Sequence, residues 1–150
     1  MVAYDYWRSI RGDRAAPQRA DLDLRVMREL LPRFNLLDVH WEPLRFRHRL
    51  VGSHYVEVLG RDVTGRFVDE ELYGEAASEI FENLKMVAVE VRPYRRMARL
   101  EWLGRKGLMI ESAELPLVDE DDRVNMILRV SSFSPTVDIE TPRLSYLPLE

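Results

Sequence analysis

The chain of 150 residues contains no cysteine. That excludes a disulfide scaffold, a thiolate zinc site, a cysteine nucleophile and a cysteine-linked cofactor. It also fits a reducing, cytoplasmic setting. Long hydrophobic runs are missing too: the longest stretch without a charge is Val130–Val137, eight residues, against the ~20 that a membrane-spanning helix needs. Asp5, Tyr6, Trp7 and Arg8 stand where a signal peptide would place its apolar core. Lysine is scarce, with only Lys85 and Lys106 among 22 basic residues. The arginine excess suits fixed bidentate pairing, and a codon-biased genome produces the same skew. There is no phosphate loop, no dinucleotide fingerprint and no dominant basic run, and the net charge of −4 gives nucleic acid no electrostatic footprint.

What is present reads as one globular domain of ordinary size. Its charge is unevenly spread. Residues 1–50 carry ten basic and seven acidic groups, whereas residues 51–90 carry three and nine. Tyr6, Trp7 and Ile10 fall on one stripe of a helix over Ala3–Arg11, with Gly12 as its C-cap. A second helix is expected from Asp23 as N-cap, with Val26, Met27, Leu30 and Leu31 on one face and Pro32 closing it. Period two then predicts strands over Asn35–Trp41 and Arg45–Val51, joined through Glu42-Pro43 as an antiparallel hairpin. Short helical pieces follow, capped by Ser53 and Asp69, and then a long helix over Glu75–Val89. Strands are expected at Met97–Leu103, Leu108–Leu117 and Val124–Phe133. The Pro-containing residues 134–150 read as a tail. This order of elements predicts an α+β domain in which five antiparallel strands form one sheet with helices over one face. The division is an N-terminal helical extension (1–34), a core (35–133) and a C-terminal tail (134–150).

The segments YWRSIRG (Tyr6–Gly12), RAD (Arg19–Asp21), ELLPRFNLLDV (Glu29–Val39), RFRHRLVGS (Arg45–Ser53) and GRDVTGR (Gly60–Arg66) resemble a bacterial family of small, stand-alone PAS-type domains. This chain departs from that pattern with Ile10 for leucine and His48 for tyrosine. The resemblance implies a PAS fold with sheet order 2-1-5-4-3 and a pocket under the helices. It also implies a sensory, signalling or protein-interaction role without catalysis, exercised on a protein partner in trans, with a homodimer as the expected assembly.

The apolar phases nominate pocket-lining residues: Phe46, His48 and Leu50 on the second strand, Tyr55 and Phe67 on the insert, Phe81 and Leu84 on the long helix. Trp102 is added from the third strand, and Met126 and Leu128 from the fifth. An ordinary core accounts for the same stripes. His48 is the sharpest candidate, because a buried imidazole needs a partner from the protein or a ligand. The cofactor is unknown. By the resemblance, an oxygen-sensing haem needs a histidine on the long helix, where there is none, and an adduct-forming flavin needs a cysteine. A flavin held non-covalently stays open. His40, His48 and His54 show no metal-ligand spacing. Tyr6, Trp7 and Ile10 must bury their stripe on the domain or on a second copy. Arg45, Arg47 and Arg49 form a basic stripe that suits an acidic partner, or equally a solvated edge paired with Asp38. Gly52-Ser53-His54, Asp69-Glu70-Glu71 and Arg11-Gly12-Asp13 carry no catalytic or adhesion reading. The rival function is a small pocket enzyme using His48 with a carboxylate for proton transfer.

Overall fold

The structure, a computed structural model, describes residues 2–100, 104, 107–135 and 144–149. Helix α1 (Val2–Arg11) opens the chain, and short 3-10 turns follow at Arg19–Asp21 and Arg28–Arg33. The first hairpin is β1 (Phe34–His40) and β2 (Arg45–Val51). Helices α2 (Ser53–Leu59), α3 (Glu70–Tyr73) and α4 (Ala77–Glu90) form the insert. Strands β3 (Tyr94–Arg99), β4 (Leu108–Val118), β5 (Val124–Pro135) and β6 (Leu144–Pro148) complete the chain.

All strands join one antiparallel sheet in the order β2-β1-β5-β4-β3-β6. The expected order 2-1-5-4-3 is therefore present, with a sixth strand added beside β3. That strand comes from the segment read as a tail. Leu144–Pro148 pairs along β3 from Ala98 to Tyr94, and Tyr146 lies flat on Tyr94, with ring centroids 4.5 Å apart and planes 4° from parallel. Five residues between Pro142 and Pro148 are too few to show a period in the sequence.

The sheet separates its side chains cleanly by strand alternation. One face, here the inner face, carries Asn35, Leu37, Phe46, His48, Ile127, Arg129, Ser112 and Glu114, matched across the ladders Asn35↔Arg129, Leu37↔His48, Ser112↔Ser131 and Glu114↔Arg129. Helices α2, α3 and α4 cover this face. The outer face carries Phe34, Leu36, Ala113, Leu115, Leu128 and Val130. Helix α1 covers it, with Ala3, Tyr4 and Trp7 buried. The N-terminal residues are thus a second cover of the core. Trp7 is 1% exposed, and its indole Nε1 donates to the Pro116 carbonyl at 2.8 Å. Of the two ways to bury the α1 stripe, Trp7 takes the intrachain one, which corrects its assignment to a dimer surface. Tyr6 and Ile10 stay half-buried at the margin of the same core.

Two further expectations change. No α-helix runs over 23–31. Asp23 turns its carboxylate onto the Arg25 amide and guanidinium, at 3.0 Å in each case, so it does not cap a helix. Val26 is 63% exposed, and a 3-10 turn containing Pro32 replaces the predicted last turn. In β2, the register against β1 slips between Leu36 and Leu37: Leu36 faces Leu50, but Leu37 faces His48. The irregularity breaks the 46/48/50 alternation. Phe46 and His48 are fully buried, while Leu50 is 39% exposed and leaves the pocket set.

Gly52 joins β2 to α2 at a close approach. A Cβ there would sit 2.4 Å from the carbonyl oxygens of both Leu31 and Pro32, so only glycine fits. The free edge of β2 is closed by the loop before α3. Val68 N donates to Phe46 O, His48 N to Arg66 O and Gly65 N to His48 O, at 2.7–2.9 Å. That loop, rather than the arginine charges alone, blocks strand addition at this edge.

Candidate functional site

The inner face buries an unusual amount of polarity. Asn35, His48, Asn83, Arg96, Ser112, Glu114, Arg129 and Ser131 are all buried, and they gather between the middle strands and the helices. Each strand supplies them on one phase, so the cluster follows directly from the β register.

It forms three linked groups. His48 stands between Asn35 and Tyr73: Nδ1 lies 2.9 Å from Asn35 Oδ1, and Nε2 lies 2.7 Å from the Tyr73 hydroxyl. An amide oxygen only accepts, so Nδ1 carries the proton and Nε2 accepts from Tyr73. Tyr55 on α2 bonds to Ser131, which meets Ser112 Oγ at 2.6 Å. The third group is charged. Arg129 donates from Nε and Nη2 to Glu114 Oε1 at 3.1 and 2.8 Å. The Tyr146 hydroxyl lies 2.6 Å from both Glu114 Oε2 and the Asn83 carbonyl. Arg96 Nε donates to Asn83 Oδ1 at 3.2 Å.

Between these groups lies a cavity of about 30 Å³. Asn35, Tyr55, Tyr73, Arg96 and Arg129 form its polar wall; Val58, Leu59, Ile80, Leu100, Ile110 and Phe133 form the apolar remainder. The wall therefore draws on the sheet and on α2, α3 and α4 together.

Burial sets the protonation states. It pulls the His48 imidazole down to about 3, helped by the positive charge of Arg129, so His48 is neutral at physiological pH. It pushes the Tyr55 and Tyr73 hydroxyls up to about 12, so both stay protonated. Arg96 is pulled below its ordinary value, first by burial and then by Arg129. Burial is the largest single influence on Arg129 and acts the same way, but Glu114 together with Tyr55, Tyr73 and Tyr146 outweighs it, and the net direction is upward.

Of the residues nominated from sequence, Tyr55 lines the cavity, and His48 stands one bond behind it through Asn35 and Tyr73. Phe46, Phe81 and Leu84 are packing residues, Phe46 and Phe81 in an edge-on contact 5.4 Å between centroids. Phe67 lies outside the pocket, stacked under Arg45 at 3.6 Å and beside His40. Met126 and Leu128 belong to the outer face, because their ladder partners Leu117 and Leu115 do. Trp102 lies outside the described residues. Arg47 donates to the Gly65 carbonyl and Arg49 pairs with Asp38 at 3.4 Å, so the basic stripe is largely engaged within the chain.

Arg96, Arg129, Glu114, Asn35 and Tyr73 were missed. The available signal was a polar residue at an inward phase of an apolar strand, such as Arg129 between Leu128 and Val130, and buried polarity is the informative exception. The proton-transfer reading required a carboxylate on His48, and its ring nitrogens meet an amide and a phenol instead. Among the described residues no group of three or more acidic or histidine side chains could hold a metal ion. No helix among them is long and apolar enough to cross a membrane.

No curated protein matches the chain. A family description does match: the chain fits the PAS domain over residues 1–130, which spans α1, the insert and most of β5. With the 2-1-5-4-3 strand order and the helices over the inner face, this places the chain in the PAS domain family, whose members serve as sensory or interaction modules.

Proposed function

We propose that the chain is a non-catalytic PAS module that binds a small ligand in the inner cavity and acts on a protein partner in trans. The observation that carries this reading is the convergence of five polar side chains from the sheet and two helices on one small cavity. Ligand sites combine an apolar wall with a few placed polar groups, and this wall has both. Its contents are limited by size. A cavity of about 30 Å³ is far below the ~300 Å³ at the lower end of drug-sized sites, so a flavin or haem does not fit the arrangement as it stands. A ligand alters the module's surface only by favouring one of two states, and α2, α3 and α4 are the covers it would press against. The cysteine-free composition favours a cytoplasmic setting.

Self-association is part of the same reading. With Trp7 turned inward, the half-exposed flank of α1, with Tyr6 and Ile10, supports a contact with a second copy. Sedimentation velocity on Ile10→Glu checks it, with a monomer expected where the parent chain is a dimer.

The test of ligand binding is native mass spectrometry of protein purified from its own host, beside Ile110→Phe, which fills the cavity. A bound small mass in the parent and none in the variant is the expected result. A bare polypeptide mass from both would remove the ligand from the proposal.

A further inference from the structure

Among the described residues, the inner face buries two guanidinium groups, Arg96 and Arg129, and one carboxylate, Glu114. Glu114 has both oxygens committed, Oε1 to Arg129 at 2.8 and 3.1 Å and Oε2 to the Tyr146 hydroxyl at 2.6 Å. Arg96 has only the neutral Asn83 amide, at 3.2 Å. Among the described residues no carboxylate forms an ion pair with it; Glu114 and Glu79 act on it from longer range. Arginine does not shed its proton in a protein. Counted over the described residues, the cluster therefore holds one positive charge more than it balances, on a side chain only 4% exposed. A buried charge without a partner is costly.

That same side chain forms part of the cavity wall, beside Arg129, Tyr55 and Tyr73. The space, about 30 Å³, exceeds the ~10–15 Å³ that one water requires. We infer that the cavity is an anion site, and that it takes a monoanionic oxyanion of three or four heavy atoms, held by the Arg96 guanidinium. Planar carboxylates and nitrate match the guanidinium fork with two parallel hydrogen bonds. A neutral apolar guest would leave Arg96 unbalanced, and a larger carboxylate would not enter. This assignment rests on the sensory reading and names its ligand class.

Thermal unfolding of the full chain in formate, acetate, nitrate and chloride at equal ionic strength tests it, with native mass spectrometry on the same samples. A saturable rise in Tm of about 3–5 °C at roughly tenfold the Kd is expected, and the anion giving it identifies the source. Arg96→Met removes the rise. Should Arg96→Met fail to fold, Arg96→Lys keeps the charge and loses the fork, and binding about tenfold weaker is expected. Equal Tm in all four salts together with a retained neutral mass overturns the anion assignment and leaves the sensory reading standing. Equal Tm with no retained mass overturns both. A rise that persists unchanged in Arg96→Met or Arg96→Lys places the anion elsewhere and overturns the assignment.

Discussion

Replacing Glu114 with glutamine is the most demanding test of the buried charge cluster. Glu114→Gln preserves shape and removes the one carboxylate that meets Arg129 through two hydrogen bonds and Tyr146 through a third. Glu114 and Arg129 are both almost fully buried, so water cannot replace the lost charge. Breaking a buried pair by deleting one partner costs about 3–5 kcal/mol. Here the upper half of that range is expected, because Arg96 adds a second guanidinium to the same region. For a chain of this size, that lowers Tm by about 8–20 °C. The double variant Glu114→Gln/Arg129→Met removes the orphaned charge together with its partner, and such exchanges are often close to neutral. It is therefore expected to recover at least half of the loss. Urea denaturation of the four members of the cycle measures this, with m-values checked for constancy. A loss below about 1 kcal/mol for Glu114→Gln, or a double variant less stable than Glu114→Gln alone, would refute the reasoning.

Four further outcomes follow from the same geometry. The neutral His48, pulled down to about 3, binds fewer protons folded than unfolded between that value and about 6.5. Stability is then fully present above about 6.5 and is lost as pH falls, by about 2.5 kcal/mol between pH 6 and 4 from this group alone. Urea unfolding of the parent against His48→Gln isolates that slope, and parallel curves would contradict it. Trp7→Ala removes a fully buried indole and orphans the Pro116 carbonyl; a loss of about 3–5 kcal/mol is expected in urea unfolding, with the oligomeric state unchanged in sedimentation. Gly52→Ala drives a Cβ to 2.4 Å from two carbonyl oxygens and should cost about 1–3 kcal/mol by the same assay. Tyr146→Phe breaks the bonds to Glu114 and Asn83. Faster amide exchange across Leu144–Pro148, with β1 and β5 unchanged, is the expected reading by mass-detected hydrogen exchange.

The sequence carried most of the frame because its strands alternate cleanly. Phe46 and His48 against Arg45 and Arg47 placed β2 correctly from period two alone. Of the two expected caps, Asp69 was legible, its Oδ1 accepting from Leu72 N at 2.9 Å, whereas Ser53 is the first residue inside α2 and Gly52 stands at the cap position without a side-chain bond. What failed depended on long-range pairing. Leu50 was misplaced because the register slip opposite Leu36 and Leu37 is a property of two strands, and no pattern within β2 announces it. Met126 and Leu128 kept the right alternation but were assigned to the wrong side, since both faces of this sheet are covered and both therefore read as apolar. Asp23 offered a capping side chain, yet Arg25 two residues on competed for it and won. Tyr55 was found from the apolar phase, but the polar part of the cavity wall, Asn35, Tyr73, Arg96 and Arg129, was not sought.

The two covered faces divide the energetics between them. On the outer face, Trp7, Phe34, Leu115, Leu117 and Leu128 belong to one apolar layer at α1, and each large apolar side chain contributes about 1.5–3 kcal/mol by leaving water. The inner face spends part of that stability on ionised and hydroxylated side chains. Apolar residues of similar volume would serve stability as well there, or better. A fold that needed only to persist would gain by exchanging Arg96 and Arg129 for methionine or leucine. On the anion reading proposed above, Arg96, which among the described residues pairs with no carboxylate, stands on the cavity wall for what that space receives rather than for what holds the sheet together.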